Sequence, residues 1–567
     1  MLNNLAGGCH MQLTVSLRKI YLFLGSLMVA FSSHTLALDS YENGILSIPK
    51  VVAGGNVYSN VKITIKEILS IKGGKPVADF DIFDSAKNQL LIPEVTYAGK
   101  KYSNVSIVPD QILAVEKGWN RIGFNQKLEF GTFDLKIDTG LYLNNTQNDD
   151  VMFDIIAIGD VNMDGYDDLL IGIMRLSNKG GSVNRVVKPL LLVFDPFTNK
   201  YEVNQEFAKL TNSHVYPRQG AIVDLDGDGR NDIFIGDTGV DGGSYDCGNK
   251  NSIVLNKSTG MVNATSLLPN VNDYSHGLIV NDFNQDKKND LLIINMPWIN
   301  KSTCNVSGEV YRNRSYMLSG GTFNELSVQL TTSDSVSLGF TENSTTDAIT
   351  VGGAIDLNND GYLDIALGGN YGMYILESTG NLKFNQGIQI PPPTTYYNSL
   401  DPKNCLILNM FSATKCLTPY SYVVPFDFDG DGQPEILASL LNQTKDGSWR
   451  GLYFQVMKKT KNGWSDVTPD VFPEQKQDQS NAELWCYRIQ FIDINNDGQL
   501  DILCTNYKST VWINQDGKFY DKTSTYLESD KQRSSIVKFP DGNYLLRFES
   551  WYQGSSEKFN ITATLVN

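Results

Sequence analysis

The chain has 567 residues, enough for several domains or one large repeat architecture, with 63 acidic against 47 basic side chains and a formal net charge of −16. Its hydrophobic fraction of 41% and charged fraction of 19% are typical of a folded protein and exclude a wholly disordered chain. The acidic excess argues against nucleic acid or an anionic membrane as the main partner, because both attract cationic surfaces.

Residues 1–37 have the pattern of a secretory signal peptide. Arg18 and Lys19 form a short basic region, an apolar run follows from Ile20 to Phe31, and Thr35-Leu36-Ala37 is a small-x-small-like cleavage site. A membrane anchor is the alternative, but the run is too short to span a bilayer comfortably. We therefore predict a cleaved signal, no transmembrane segment after its cleavage, and a secreted, periplasmic or cell-surface protein.

Residues 38–118 contain two copies of a small β unit. Leu46-Ser47-Ile48-Pro49 recurs as Leu90-Leu91-Ile92-Pro93, and Tyr58-Ser59-Asn60-Val61 recurs as Tyr102-Ser103-Asn104-Val105. The alternation of apolar and polar residues within each copy predicts short strands joined by glycine turns. We expect a separate N-terminal β module, and no residue in it suggests chemistry.

From residue 119 to residue 567 a second kind of repeat fills the chain. Six times an apolar segment with strand character leads into an acidic loop of nine residues and out into a second apolar segment. Positions 1, 3, 5, 7 and 9 are Asp160, Asn162, Asp164, Tyr166 and Asp168 in loop 1; Asp224, Asp226, Asp228, Arg230 and Asp232 in loop 2; Asp282, Asn284, Asp286, Lys288 and Asp290 in loop 3; Asp356, Asn358, Asp360, Tyr362 and Asp364 in loop 4; Asp427, Asp429, Asp431, Gln433 and Glu435 in loop 5; and Asp493, Asn495, Asp497, Gln499 and Asp501 in loop 6.

This spacing predicts up to six calcium sites. Calcium binds six to eight oxygen ligands at about 2.3–2.6 Å. Positions 1, 3 and 5 of a tight turn can direct side-chain oxygens to one point, and glycine at position 6 allows the left-handed backbone that turns the chain. The carbonyl of position 7 and the carboxylate of position 9 then complete the shell. A single loop of this kind is more often a hydrophilic turn, but six at a similar period favour metal sites.

The predicted sites account for much of the acidity. Positions 1, 3, 5 and 9 of the six loops hold twenty of the acidic side chains, and the remaining 43 are outnumbered by the 47 bases. The calcium-loaded exterior would be nearly balanced in charge. It would therefore exclude anionic partners less firmly than the net charge suggests.

Loop 3 departs from the pattern, because Lys287 replaces glycine at position 6 and Lys288 follows it. A non-glycine residue in the left-handed backbone costs on the order of 1 kcal/mol. The two added cations also repel a metal ion. We predict that the third site is the weakest of the six.

The six loops and their apolar flanks, such as Ile155–Gly159 before loop 1 and Leu169–Gly172 after it, resemble the FG-GAP/VCBS family. That family includes the blade repeats of integrin α-subunits and many secreted bacterial proteins. An eroded seventh copy at Ile536–Leu546 keeps a strand–turn–strand outline and Asp541 but has lost the other acids, so it should be structural only. The resemblance implies an all-β fold, a seven-bladed β-propeller over residues 119–567, with calcium in the loop between the first and second strands of a blade.

The resemblance also implies a second face, opposite the calcium loops, that collects the long segments 238–251, 296–307 and 391–420. Exposed aromatic side chains on that face would suit a sugar ligand, because sugar rings stack on them; the candidates are Tyr245, Trp298, Tyr371, Tyr396, Tyr397 and Trp449. The alternative for each of them is packing between blades.

Six cysteines remain after the signal, an even number that favours disulfides in an exported protein. No CxxC or HExxH spacing is present, so a zinc site is not expected. In the repeat arrangement, Cys247 and Cys304 occupy equivalent loops and are expected to pair. Cys405 and Cys416 would close a loop within one insertion. Cys486 and Cys504 bracket loop 6 and are either paired or buried thiols.

These features favour an exported calcium-binding protein that acts in adhesion or recognition, with an extracellular glycan or protein ligand on the face opposite the calcium loops. There is no Gly-x-Ser-x-Gly elbow, and only His214 and His276 follow the signal, so no catalytic residue is assigned. His276-Gly277 resembles a His-Gly pair of the family, for which we expect a structural hydrogen bond. The alternatives are a secreted polysaccharide lyase or hydrolase on the same scaffold and a structural assembly partner, because the fold does not give the activity.

Overall fold

The computed structural model describes residues 40–42, 45–53, 56–73, 81–84, 87–97, 100–120, 127–138, 150–176, 186–196, 198–240, 248–268, 272, 274–295, 317–319, 322–324, 351–369, 372–380, 384–385, 388–390, 393, 420–443, 449–476, 486, 488–495, 497–505, 509–527, 534–540, 542–553 and 556–566. The predicted signal, residues 1–37, lies outside them. No helix in the described part of the chain has the length and apolar character needed to cross a membrane.

The first described segment forms one sheet of six strands. These are β1 (Ser40–Glu42), β2 (Ile45–Ala53), β3 (Asn56–Ile71), β4 (Asp81–Asp84), β5 (Gln89–Tyr97) and β6 (Lys100–Asn120), in the order β1-β2-β3-β6-β5-β4, with β4 also pairing in parallel with β2. The two sequence repeats are the hairpins β2–β3 and β5–β6. Equivalent residues of the two copies, such as Leu46 and Leu90, share one apolar core.

After residue 126 the described chain is a succession of antiparallel sheets. Five of them consist of four consecutive strands each: β8 (Asp150–Gly159), β9 (Asp168–Leu176), β10 (Leu190–Asp195) and β11 (Lys200–Val203); β12 (Pro217–Val223), β13 (Asp232–Asp237), β14 (Ser252–Lys257) and β15 (Gly260–Asn263); β20 (Val351–Ile355), β21 (Asp364–Gly368), β22 (Met373–Leu376) and β23 (Ile388–Ile390); β24 (Tyr420–Phe426), β25 (Glu435–Gln443), β26 (Trp449–Thr460) and β27 (Gly463–Asp466); and β28 (Arg488–Ile492), β29 (Asp501–Thr505), β30 (Thr510–Gln515) and β31 (Lys518–Asp521).

Two hairpins and one composite sheet complete this region. The hairpins, which lie between β15 and β20 in the chain, are β16 (Ser275–Asn281) with β17 (Asp290–Asn295) and β18 (Met317–Ser319) with β19 (Thr322–Asn324). The last sheet consists of β32 (Ser534–Phe539), β33 (Gly542–Gln553) and β34 (Ser556–Leu565), joined by β7 (Lys127–Asp134) from the start of the region. The eroded seventh copy therefore forms two strands, β32 and β33.

Short helical turns follow the fourth strand of several sheets. They are α2 (Gln205–Leu210), a 3-10 turn (Thr265–Leu267), α3 (Thr468–Val471) and α4 (Thr523–Tyr526), while α1 (Leu135–Asp138) follows β7. An Asn or Asp just before the turn accepts a backbone N–H bond, as Asn204 does from Phe207 at 2.9 Å. This capping satisfies an amide that the short helix leaves without a partner.

Each acidic loop joins the first and second strands of its sheet, and position 9 is the first residue of the second strand. After the position-9 acid each second strand continues with an apolar run, and β13, β17, β21 and β29 are buried at every residue. A strand that is covered on both faces needs no polar alternation, which explains the continuous apolar runs in the sequence. The repeated acids are thereby fixed at one end of a buried strand.

Apolar clusters lie between neighbouring sheets. One of them joins the last sheet, which contains β7 and β32–β34, to the sheet of β8–β11 through rings such as Phe130, Phe194 and Phe539. A central cavity of about 230 Å³ is lined by residues from the first strands β8, β12, β16, β20, β24, β28 and β32, among them Ile156, Gln219, Leu278, Val351, Tyr422, Arg488 and Ser535. The chain is all-β, with a β-propeller-like succession of sheets around a cavity.

Candidate metal centre

The six acidic loops share one pattern of hydrogen bonds. The carboxylate at position 1 accepts a bond from the backbone N–H of position 6 in every loop, at 2.7–3.0 Å. The carboxylate at position 5 accepts one from the N–H of position 7, at 2.8–2.9 Å. Because both bonds draw the carboxylates inward, the loops hold their acids in a fixed and repeated arrangement.

Position 6 has a left-handed backbone in all six loops, as the turn requires. The φ angle is 80–89° at its glycines, Gly165, Gly229, Gly361, Gly432 and Gly498. At Lys287 of loop 3 the φ angle is 69°. Loop 3 therefore adopts the common geometry and bears the backbone strain of a side chain at this position.

The acid at position 9 anchors each loop to its sheet. In five loops one carboxylate oxygen accepts the backbone N–H of position 2, at 2.7–2.9 Å. In four of these the other oxygen accepts an N–H from the third strand or from just after it, as Asp501 does from Asn514 at 2.8 Å. All six position-9 side chains are 0% exposed. They therefore stabilise the junction of loop and sheet and face the loop interior.

Burial raises the pKa of every position-9 acid, and the neighbouring carboxylates raise it further. The pKa is about 6 for Asp232, Asp364 and Asp501 and about 7 for Asp290 and Glu435, and it lies well above the usual value for Asp168. These groups bear the cost of holding a negative charge away from water. A cation in the loop would offset that cost.

In two loops the acids converge most closely. Carboxylate oxygens of Asp224, Asp226 and Asp232 lie within 4.8 Å of one another, and those of Asp427, Asp429 and Glu435 do the same. Three of the other loops have Asn at position 3 whose amide donates to the position-5 carboxylate, at 2.9–3.2 Å. The two convergent groups belong to the two loops with four acids and could each hold a metal ion.

The side chains at position 7 differ widely, as expected for a position chosen for its carbonyl. Tyr166 is fully buried and packs against Phe194 and Phe539, with ring centroids 5.5 and 5.1 Å away. Tyr362, by contrast, is 40% exposed. The side chain of Lys288 lies over Gly227 of the neighbouring loop 2.

Two lysines that we did not select from the sequence reach into the loops. Lys458 of β26 places its Nζ 2.6 Å from Glu435 Oε1, and Lys257 of β14 contacts Asp226 Oδ2. Lys458 lies directly across from Glu435 in the β25–β26 pairing, so an opposite-charge cross-strand pair was the available signal. Lys257 gave no such signal, because its contact depends on how far its long side chain bends.

Amide side chains at position 8 connect neighbouring loops, which the sequence reasoning also missed. Asn231 of loop 2 donates to the Asp160 carbonyl of loop 1 at 2.6 Å, and Asn289 of loop 3 donates to the Asp224 carbonyl of loop 2 at 3.0 Å. Asn543 of the eroded copy donates to the Asp493 carbonyl of loop 6 at 2.7 Å. The eroded copy has lost the other acids of the loop pattern but keeps this connection to the neighbouring loop.

The first strands carry basic side chains at the ends away from the loops. Arg488 donates to the carbonyls of Ile156 and Arg218, at 3.2 and 2.5 Å, and its Nε lies 3.4 Å from Asp154 Oδ2. Arg218 Nη1 lies 2.8 Å from the imidazole nitrogens of His276. His276 therefore has the structural hydrogen bond that we expected, and these contacts join strands of different sheets.

His214 belongs to a buried Asp–His–Ser set. Its Nδ1 lies 3.0 Å from Asp237 Oδ2 and its Nε2 lies 2.8 Å from Ser252 Oγ, the connectivity of a catalytic triad. All three side chains are at most 1% exposed, so a substrate cannot reach the hydroxyl in this structure. Burial raises the pKa of Asp237, but hydrogen bonds from His214 and backbone amides outweigh it and leave the pKa lowered. We assign this set a structural role.

Cys486 and Cys504 form a disulfide, with Cα atoms 5.3 Å apart, which decides between the two alternatives left open by the sequence. Cys247, Cys304, Cys405 and Cys416 lie outside the described residues.

Most of the long segments 238–251, 296–307 and 391–420 also lie outside the described residues. The same holds for the aromatic candidates Tyr245, Trp298, Tyr371, Tyr396 and Tyr397, and the Trp449 side chain is likewise not described.

Comparison with solved structures shows only distant similarity. A Photorhabdus luminescens Tc holotoxin pore is 14% identical over 70% of this chain, which spans 17% of the toxin chain, with a TM-score of 0.29. An Agrocybe aegerita lectin that recognises non-reducing terminal N-acetylglucosamine is 14% identical over 77% of this chain and 94% of its own, with a TM-score of 0.35. A Bacillus licheniformis rhamnogalacturonan lyase is 10% identical over 92% of this chain and 90% of its own, with a TM-score of 0.27.

No curated protein matches the chain in sequence. The family model described as an FG-GAP-like repeat matches residues 427–504. That segment runs from the start of loop 5 through loop 6 and ends within β29. Two of the six loops that suggested the family thus lie in the matched segment, and the chain carries an FG-GAP-like repeat at residues 427–504.

Proposed function

We propose that this chain is an exported calcium-binding protein that recognises an extracellular glycan or protein ligand on the face opposite its acidic loops. The observation that carries the proposal is the common hydrogen-bond geometry of the six loops, in which backbone N–H groups hold the carboxylates at positions 1 and 5 and the position-9 carboxylate is buried, together with the convergence of three carboxylates in loops 2 and 5. Residues 1–37 support export. The FG-GAP-like repeat at residues 427–504 supports a recognition role.

The donor set fits calcium. Carboxylate, amide and carbonyl oxygens are the ligands that this ion prefers. Loops 1, 3, 4 and 6 supply all three kinds, whereas loops 2 and 5, with Asp at position 3, supply carboxylate and carbonyl oxygens. Three buried carboxylate oxygens of the loops, Asp290 Oδ1, Asp427 Oδ1 and Glu435 Oε2, have no hydrogen-bond partner among the described residues. A buried carboxylate oxygen without a partner is costly, and a bound cation would satisfy it. Positions 1, 3, 5, 7 and 9 would hold the ion, which would offset two of the three or four negative charges of the loop.

We further propose that the loops belong to a seven-bladed β-propeller. Support comes from the first strands of seven successive sheets, β8, β12, β16, β20, β24, β28 and β32, which all contribute to the lining of one cavity. The pairing of β7 with β34 and the apolar cluster between the last and first sheets are what ring closure requires. In this arrangement the ligand face carries the connections that leave the second strands.

The function is tested on the purified mature chain with a glycan array and a polysaccharide turnover assay, both with calcium and with chelator. Calcium-dependent binding to one glycan class without turnover is the expected result. Turnover would overturn the pure recognition role in favour of a lyase or hydrolase. Binding to no glycan would exclude the glycan ligand and leave the protein ligand. Affinity measurements against extracellular matrix and surface proteins would then test it.

Loop 3 gives a separate prediction. The Lys287→Gly substitution removes a side chain from a left-handed position and a positive charge from beside the site. We expect the substitution to stabilise the protein by about 1 kcal/mol and to raise calcium occupancy at this loop. Metal stoichiometry by atomic emission, at a calcium concentration that leaves the wild-type protein partly loaded, measures the change. The Asn88→Gly variant, which replaces a left-handed non-glycine residue in the N-terminal sheet, is the control, and equal occupancy in wild type and Lys287→Gly would contradict the prediction.

A further inference from the structure

We propose that Lys257 and Lys458 are internal counter-ions of loops 2 and 5, and that calcium must displace their ammonium groups in order to bind there. The inference rests on the proposed calcium binding. It concerns the two loops in which carboxylates converge most closely, and it assigns a role to side chains on a strand outside the nine-residue motif.

Lys458 contacts three of the expected ligands of loop 5 at once. Its Nζ lies 3.0 Å from Asp429 Oδ2, 2.7 Å from Asp431 Oδ2 and 2.6 Å from Glu435 Oε1. These residues are positions 3, 5 and 9. An ammonium has three N–H groups and no acceptor, so it can serve three carboxylates. The cation of Lys458 therefore lies where the oxygens of the loop converge.

Lys257 has the corresponding role in loop 2. Its Nζ contacts Asp226 Oδ2 at position 3 and lies 3.5 Å from Asp228 Oδ2 at position 5. The Lys257 side chain is 32% exposed and the Lys458 side chain 25%. Both long side chains thus start from the third strand of their sheet and can swing toward solvent without disturbing the core.

The acid content of the loops explains why these two need a counter-ion. Loops 2 and 5 have carboxylates at positions 1, 3, 5 and 9, whereas the other four have a neutral Asn at position 3. Repulsion between like charges a few ångströms apart is strongest where four of them meet. An internal ammonium lowers that repulsion when no metal is present and keeps the ligands near their binding positions.

The ammonium and the metal compete for the same oxygens. Calcium needs them at about 2.3–2.6 Å, which leaves no room for a second cation among them. Calcium binding at loops 2 and 5 must therefore break the lysine contacts. These loops should bind calcium less tightly than their four carboxylates alone would allow, and they should be stabilised without it.

The test is isothermal titration calorimetry of the mature chain with calcium, comparing wild type with Lys458→Met and Lys257→Met. Each variant should gain about tenfold in calcium affinity at one site, the size expected from removing a partly exposed competing charge. The melting temperature in chelator should fall in the same variants, while the melting temperature with saturating calcium should not. The neutral Lys458→Gln variant should behave like Lys458→Met.

Lys459→Met is the matched control, because Lys459 is the next residue and pairs with Glu377 at 2.5 Å, outside the loops. It should leave calcium affinity unchanged, and the charge-preserving Lys458→Arg variant should not gain affinity. Unchanged or weaker binding in Lys458→Met and Lys257→Met, in a wild-type protein that does bind calcium, would overturn the inference alone. A wild-type protein and variants that bind no calcium would overturn the proposed function itself.

Discussion

Replacing Asp501 by alanine should lower the free energy of unfolding of the calcium-loaded protein by about 3–5 kcal/mol. The side chain is 0% exposed and accepts the N–H groups of Ile494 at 2.7 Å and Asn514 at 2.8 Å. Alanine leaves both amides without a partner and removes the proposed position-9 ligand of loop 6. Urea denaturation followed by circular dichroism measures the loss.

The matched control is Asp497→Ala in the same loop. Asp497 is an exposed proposed ligand at position 5 that accepts the N–H of Gln499, and it does not connect the loop to the third strand. Its loss should cost about 1–2 kcal/mol. An Asp501→Ala variant no less stable than Asp497→Ala would contradict the anchoring role of position 9.

Calcium must be present in this comparison. Burial raises the pKa of Asp501 from 3.8 to about 6, so in the calcium-free protein this group lowers the stability of the fold as the pH rises between these two values, and the loss is complete above the higher one. In the calcium-free protein, the Asp501→Ala substitution would remove this unfavourable contribution of the buried carboxylate. The measured free energy of unfolding would then understate the stability lost with the two hydrogen bonds.

Withdrawal of calcium should lower the melting temperature of the wild-type protein by about 10 °C or more. At a calcium concentration a hundredfold above its dissociation constant, one site stabilises the folded protein by about 2.7 kcal/mol, and up to six sites act together. Without the metal, each loop holds mutually repelling carboxylates, one of them buried. Differential scanning calorimetry in chelator, followed by restoration of calcium, measures the shift and its reversal. A melting curve that chelator does not move would contradict the assignment of the loops.

Much of the fold followed from local sequence patterns. Position 6 of each loop has the predicted left-handed backbone, because a tight turn is determined by neighbours in the chain. Apolar runs such as Leu291–Ile294 form strands for the same reason. The sequence left the state of Cys486 and Cys504 open because pairing depends on the register of β28 and β29, which spacing alone does not give.

The contacts that the sequence reasoning missed join residues far apart in the chain. Lys257 lies 29 positions from Asp228, and Asn231 lies 71 positions from Asp160. Such contacts depend on how one strand or sheet lies against the next. The central cavity is a further example, since it is lined by residues from eight separate strands.

The pairing of β7 with β34 also sets the order of events during synthesis. Thr132 and Asn560, bonded at 3.2 Å across this pair, are 428 positions apart. The sheet cannot be completed before the final strand has left the ribosome, and bringing such distant segments together is a slow step. A precursor exported as proposed would thus remain open, and competent for passage through a translocation channel, until its last residues had followed.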